Sequence, residues 1–252
     1  MSLESRAALV GNVLAVADSK LVLGNWYLKG VHNGRALPDF AALLAMSATS
    51  LGHTRALYKY LIGFGEDYSY LERGRGRGEI RSMNLLDAAP ESWEDFLTTI
   101  YLAEQSTWMM MSGFLNAPDP ALVGLAKKIG TESYFHLKYA AGWRSIFFEG
   151  KNETYREALS NKFPLALQWF GTDSEHDVLL DQGMRNVGLV ELRKALLRQV
   201  LTDHDAPGFE WVSAAEAPTF GNDWDVDKRR AGELPEGLYE IVKFQDPAAV
   251  HD

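Results

Sequence analysis

The chain contains no cysteine among its 252 residues, so disulfides, thiolate metal sites and a cysteine nucleophile are excluded. It also lacks a basic surplus. A total of 34 acidic residues against 25 Lys and Arg gives a formal charge of -9, which argues against a nucleic-acid partner. No stretch approaches ~18 consecutive apolar residues, and residues 1–11 lack the pattern of a signal peptide. The composition therefore predicts a soluble, cytoplasmic protein without a membrane span.

Strand signals are also scarce, whereas apolar residues recur at steps of three and four through long stretches. This periodicity predicts an all-α protein. Four long helices are predicted at residues 5–31, 38–62, 92–114 and 119–149. Ser92 and Asp119 are the expected N-caps of the third and fourth helices, and Pro120 suits the first position of a helix. Short turns, with one longer link between the second and third helices, predict an up-down helical bundle over residues 5–149.

Shorter helices are predicted at 153–170, 173–181, 188–204 and 235–244. They are expected to extend the bundle into a single domain of residues 1–252, because no linker-like segment precedes them. Residues 205–232 lose the helical period, and their proline, glycine and aromatic content predicts an ordered irregular arm anchored by side chains such as Trp211 and Trp224. The alternating Arg/Gly tract 73–78 does not follow a strand into a helix, so a solvated link is favoured over a phosphate loop. Its arginines could also meet an acidic partner or an anionic cofactor.

Polar side chains interrupt the inward face of each long helix at similar depth. A buried carboxylate without a partner costs several kcal/mol, so these groups must pair with one another or bind a cation. We expect a buried network of ion pairs and hydrogen bonds that joins Asp18, Glu104, Glu132 and His136. The candidate positions are Asp18, Ser50, His53, Glu104, Glu132 and His136.

A di-iron carboxylate bundle takes one Glu from each of two helices and a Glu-x-x-His pair from each of the other two. In this chain Ser50 stands three residues before His53, where a Glu would be needed, and Glu132 lies four residues before His136. The first helix offers only Asp18. Five candidate ligands therefore remain, which are Asp18, His53, Glu104, Glu132 and His136. They are too few for two irons but enough for one ion. The pattern favours a degenerate site that holds no metal or other cofactor.

Four segments, KLVLGNW at 20–26, SLGHTRALYKY at 50–60, IRSMNLL at 80–86 and ESYFHLK at 132–138, resemble the phenylacetyl-CoA epoxidase (phenylacetic acid catabolic) family. The likeness is greatest to its C subunit. It covers residues 10–175 in order, with a weaker echo at 233–239. The chain departs from the C-subunit pattern at His53, where Gln is expected, and in its Arg/Gly tract and C-terminal arm.

The resemblance implies a ferritin-like fold and a role beside a catalytic subunit. In that family, the A subunit carries complete Glu-x-x-His motifs and inserts oxygen into the aromatic ring of the CoA thioester. The C subunit has lost the motifs and associates with the A subunit. The resemblance therefore implies a structural subunit, without catalytic residues of its own, of a di-iron oxygenase acting on phenylacetyl-CoA or a related aromatic CoA ester. We expect a homo- or hetero-oligomer that includes the catalytic homologue and uses exposed apolar helix faces together with the arm.

Two alternatives remain open from the residues. One is a metal-dependent oxygenase active in its own right through His53, Glu104, Glu132 and His136, with Asp18 assisting. The other is a ferritin-like scaffold that associates with itself and has no link to phenylacetate.

Overall fold

The computed structural model describes residues 2–204 and 218–243, and within them the protein is an all-α helical bundle, as the sequence predicts. The four long helices match their predicted positions to within a few residues. They are α1 (Leu3–Gly30), α2 (Leu37–Leu61), α3 (Trp93–Ser112) and α4 (Pro120–Glu149).

The predicted helix starts are confirmed by their capping contacts. The Ser92 hydroxyl accepts a hydrogen bond from the Asp95 amide at 3.0 Å, which satisfies one free N–H at the start of α3. The Asp119 carboxylate accepts from the Ala121 amide at 2.8 Å at the start of α4. After α2, Gly65 adopts a left-handed conformation with φ of 82°, which glycine tolerates without strain.

Four shorter helices follow, α5 (Glu153–Gln168), α6 (Val178–Asp181), α7 (Leu189–Asp203) and α8 (Glu236–Val242). The prediction of helix from 173 is wrong for the first five residues. Helix α6 begins only after Asp177, whose carboxylate accepts from the Leu180 amide. A small antiparallel ribbon pairs β1 (Trp224–Asp225) with β2 (Arg230–Ala231).

The four long helices close a ring of contacts. Helix α1 packs on α2 and α3, and α4 packs on α3 and α2. The shorter elements add a second layer, with α6 and α8 against α1 and with α5 and α7 against α3. Helices α1 and α3 are consequently buried around most of their circumference, whereas α2 and α4 keep an outward face.

Helix α1 is more apolar than expected from the sequence, which predicted no segment resembling a membrane span. The segment Leu3–Asn33 is long and apolar enough to cross a membrane by length and composition alone. An 18-residue window within it has a mean hydropathy of 1.5. However, 83% of that window is buried inside the bundle. Burial of this extent is also found in the core helix of a soluble protein, so this is weak evidence for a membrane span.

The described part of the C-terminal arm, residues 218–232, is held mainly by arginines. Arg229 donates to the Trp169 carbonyl at 2.7 Å, and Arg230 donates to Asp87 at 3.0 Å. Trp224 is half-buried against Phe220, with ring centroids 4.9 Å apart. The described part of the arm is therefore held by arginine contacts to the bundle, and its Trp224 packs on Phe220 within the arm. The predicted anchor Trp211 lies outside the described residues.

Candidate functional site

The centre of the bundle contains a buried ion pair between α1 and α3. The Lys20 ammonium lies 2.5 Å from Glu104 Oε2, and the two side chains are 0% and 1% exposed. The other carboxylate oxygen, Oε1, accepts from the Tyr27 hydroxyl at 2.8 Å and lies 2.8 Å from His136 Nδ1. Both oxygens of Glu104 are thus engaged by side chains from α1 and α4.

The electrostatics of this cluster keep Glu104 ionised. Burial alone raises the pKa of a carboxyl group, but the charge of Lys20, followed by His136, outweighs burial and holds the pKa of Glu104 well below its usual range. Burial, followed by the neighbouring carboxylate, raises the pKa of the Tyr27 hydroxyl. Tyr27 therefore remains a hydrogen-bond donor, and next to an ionised Glu104 the contacting His136 nitrogen carries a proton.

Two serines complete the inward positions of α2 and α4. Ser133 lies three residues before His136, is fully buried, and accepts from Lys20 Nζ at 3.3 Å. Ser50 lies three residues before His53 and is also fully buried; its hydroxyl has no hydrogen-bond partner within the described chain. A di-iron bundle has glutamates at these i, i+3 positions. The two positions that precede His53 and His136 by three residues therefore hold serine, and Lys20 of α1 places a positive charge beside Glu104.

Glu132 was predicted to face inward, and this prediction is wrong. Its side chain is 35% exposed at the seam between α2 and α4, where Oε2 lies 2.5 Å from His53 Nε2 and Oε1 lies 3.0 Å from Lys128. The inward line of α4 passes through Ser133 and His136, and successive helical residues are rotated by about 100°, so Glu132 is turned aside.

His53 is buried and, at neutral pH, uncharged. Burial, followed by the charge of Lys20, lowers its pKa from 6.5 to about 4, although the hydrogen bond to Glu132 acts in the opposite direction. With Glu132 ionised, Nε2 carries the proton and donates it. The other ring nitrogen, Nδ1, has no hydrogen-bond partner within the residues described.

Asp18 belongs to a different cluster, so the predicted four-residue network is confirmed for its Glu104–His136 contact and is wrong for Asp18 and Glu132. The Asp18 carboxylate is bound by Arg75 at 2.7 and 2.8 Å and by the Tyr58 hydroxyl at 2.6 Å. The Arg81 amide also donates to it at 2.7 Å. Arg75 comes from the Arg/Gly tract and is only 6% exposed. The tract is therefore not a solvated link, because its middle arginine, Arg75, is buried and binds Asp18 on α1.

Sequence reasoning missed Lys20, Tyr27 and Ser133. Lys20 interrupts the apolar run of α1, and Tyr27 follows it by two helical turns, so both were visible as members of one face. Ser133 has the i, i+3 spacing to His136, and this spacing is the signal in the sequence that distinguishes it from Glu132.

The residues at this centre do not fit a di-iron site. Iron clusters of this type need several carboxylates, yet the carboxylate at this centre, Glu104, is neutralised by an ammonium group and held by two further donors. Across the described ranges, no group of three or more His, Asp or Glu side chains is placed to hold a metal ion. The residues predicted as candidate ligands are divided among three places: Asp18 with Arg75, His53 with Glu132, and Glu104 with His136.

The fold and the centre together define a helical-bundle protein with a polar, ion-paired interior. Comparison with protein families gives a match to the phenylacetic acid catabolic protein family over residues 1–222. The chain belongs to that family, which connects it to phenylacetate catabolism. A search of curated proteins found no match.

Proposed function

We propose that the chain is the non-catalytic, ferritin-like subunit of a multicomponent di-iron oxygenase that acts on phenylacetyl-CoA or a related aromatic CoA ester. It corresponds to the C subunit of the family. Its role is to bind and support a homologous catalytic subunit that carries the complete ligand set. The complex is cytoplasmic in this proposal.

The Lys20–Glu104 ion pair is the observation that supports this proposal most. A subunit relieved of metal binding still has to stabilise polar residues at the bundle centre, because an unpaired buried charge is destabilising by several kcal/mol. An ammonium group from α1 satisfies Glu104 with a single fixed charge and needs no ion. Ser50 and Ser133 supply small neutral groups where carboxylates would add further negative charge.

The alternative of an independent oxygenase is less well supported by the geometry. It requires His53, Glu104, Glu132 and His136 to converge with help from Asp18. Instead, Asp18 is bound to Arg75, and Glu132 reaches the surface. The self-associating scaffold has no specific observation in its favour beyond the exposed helix faces.

The test is to purify the chain alone, a catalytic homologue from the same genome alone, and the two after co-expression. Each preparation is assayed with a reductase for oxygen-dependent consumption of phenylacetyl-CoA, and light scattering gives its mass. We expect a stable hetero-complex and turnover that depends on the catalytic homologue. A strictly monomeric chain that ignores every catalytic homologue would contradict the proposal.

A further inference from the structure

The outward sides of α2 and α4 form one continuous face that the added helices leave open. The two helices run antiparallel, because Asp39 near the start of α2 accepts hydrogen bonds from Tyr139 and Trp143 near the end of α4. At the other end, Tyr60 donates to Asp119. Helices α5 and α7 reach α4 near its C-terminal end, as in the Arg144–Asp203 ion pair. We call the surface of α2 and α4 that no other described element covers the α2–α4 face.

One half of this face is mainly apolar, although it includes the exposed Lys138 of α4. From residue 37 to residue 54 of α2 the only charged side chain other than histidine is Asp39, which is buried. Leu37 and Leu44 are exposed there, at 80% and 39%. On α4, Phe135 is 66% exposed and Ile146 is 54% exposed. Phe135 follows the seam residue Glu132 by three positions, so it lies beside the seam, on the side that borders α2.

The other half is basic. Lys59 at the end of α2 and Lys127 and Lys128 near the start of α4 are exposed, and the antiparallel packing brings these ends together. Helices α2 and α4 together carry six Lys and Arg against three Asp and Glu, although the whole chain has a charge of -9. The face is therefore opposite in sign to the protein as a whole.

This distribution of charge argues against a second copy of the chain as the occupant. A parallel pairing would place the basic halves against each other. A two-fold antiparallel pairing would bury the lysines of each copy against the apolar half of the other, which leaves charges desolvated without partners. The complementary surface instead has an apolar patch next to a cluster of carboxylates.

The size of the face suits a stable protein partner. A helix of 25 residues is about 37 Å long, and two helices about 10 Å apart present roughly 700 Å². A standard protein interface buries about 800 Å² on each partner. We propose that the α2–α4 face is the docking surface for the catalytic subunit, which meets it with an apolar helix surface flanked by Asp and Glu. This inference rests on the proposed function.

The test measures binding of purified variants to the catalytic homologue by biolayer interferometry. Phe135→Glu should weaken the affinity at least tenfold, whereas Leu180→Glu, which changes an exposed apolar residue on α6, should leave it within twofold. Lys59→Glu combined with Lys127→Glu should slow association and reduce its salt dependence. Lys194→Glu on α7 is the matched control. All five positions are exposed, so circular dichroism melts should match the wild type.

Each outcome has a distinct meaning. Loss of binding in the Phe135 variant with retention in the Leu180 variant supports the docking surface. If wild type binds the homologue and Phe135→Glu binds equally well, the surface is wrong while the proposed function stands. If wild type binds no homologue, the proposed function fails. A wild-type homodimer that Phe135→Glu converts to monomer, or face-dependent binding to anionic phosphatidylserine vesicles, would overturn the assignment of the partner.

Discussion

Lys20 and Glu104 are 84 residues apart in the sequence and form a 2.5 Å ion pair at the centre of the bundle. The pair connects α1 to α3, and Tyr27 and His136 complete the coordination of the carboxylate. The pair lies close to the buried histidines of the neighbouring helices, His53 on α2 and His136 on α4. The interior of the bundle is thus stabilised by an ion pair between two side chains of the protein itself.

Removal of Lys20 should be strongly destabilising. Lys20→Met leaves Glu104 charged and without its cation, so we expect the free energy of unfolding to fall by about 3–5 kcal/mol. Urea unfolding measures it, and Lys59→Met, at an exposed site, should change stability by less than about 0.5 kcal/mol. Combining Lys20→Met with Glu104→Leu should recover much of the loss. Wild-type stability in the single variant would show that the pair is not formed.

The two glutamates of the site should differ in importance. Glu104→Ala leaves a buried lysine unpaired and should cost about 3–5 kcal/mol, whereas Glu132→Ala disrupts a half-exposed pair and should cost about 1 kcal/mol. If Glu132 instead belonged to a buried network, as expected from the sequence, Glu132→Ala would cost a few kcal/mol and Glu132→Gln less. Urea midpoints of these variants compare the two expectations, and equal losses at the two positions would contradict the inward register of Ser133.

Stability should decrease as the pH falls from 6.5 to about 4. Folding lowers the pKa of His53, through burial and then Lys20, from 6.5 to about 4, so the unfolded chain binds more protons within this window. The contribution of the neutral His53 to the free energy of unfolding is fully present above pH 6.5 and is lost as the pH falls toward 4. It amounts to at most about 3 kcal/mol.

The variant His53→Gln should flatten this part of the pH profile, and His32→Gln, at an exposed position, should not. His204, whose pKa is also lowered to about 4 by burial, retains the same dependence, so a residual slope is expected in His53→Gln. Thermal melts at half-unit pH steps provide the measurement. A slope unchanged by His53→Gln would show that this histidine is not buried in its neutral form.

The Arg/Gly tract offers a matched pair of variants. Arg75→Met leaves the buried Asp18 with only its Tyr58 and Arg81 amide contacts and should cost about 3–5 kcal/mol. Arg73→Met, at a side chain that is 51% exposed, should cost less than about 0.5 kcal/mol. Chemical denaturation distinguishes them, and equal effects would restore the view of the tract as a solvated link.

The fold was largely predictable from the sequence because helical periodicity and caps are local signals. Ser92 and Asp119 mark their helix starts by residue type alone, and both act as caps. The site was less predictable because its partners depend on helix rotation. One position along α4 separates Glu132 from Ser133, and that rotation of about 100° decides which one faces Lys20. The role of Arg75 depends on a long-range contact with Asp18 that no local pattern announces.

The residues at the ion-paired centre also indicate which substitutions would build a metal-binding centre. Lys20→Glu, Ser50→Glu and Ser133→Glu together supply the missing carboxylates, two of them three residues before His53 and His136. We expect the triple variant to bind iron that the wild type does not hold. The variant therefore serves as the positive control for metal loading.

Iron content after anaerobic loading is the decisive measurement of whether this chain has a working di-iron site. Wild-type chain is loaded with ferrous iron, passed through a desalting column, and measured by elemental analysis together with oxygen-dependent turnover. We predict less than about one iron per chain and no turnover, because serines occupy the positions three residues before His53 and His136 and the Lys20 ammonium neutralises Glu104. Two tightly held irons in the wild-type chain would contradict the account.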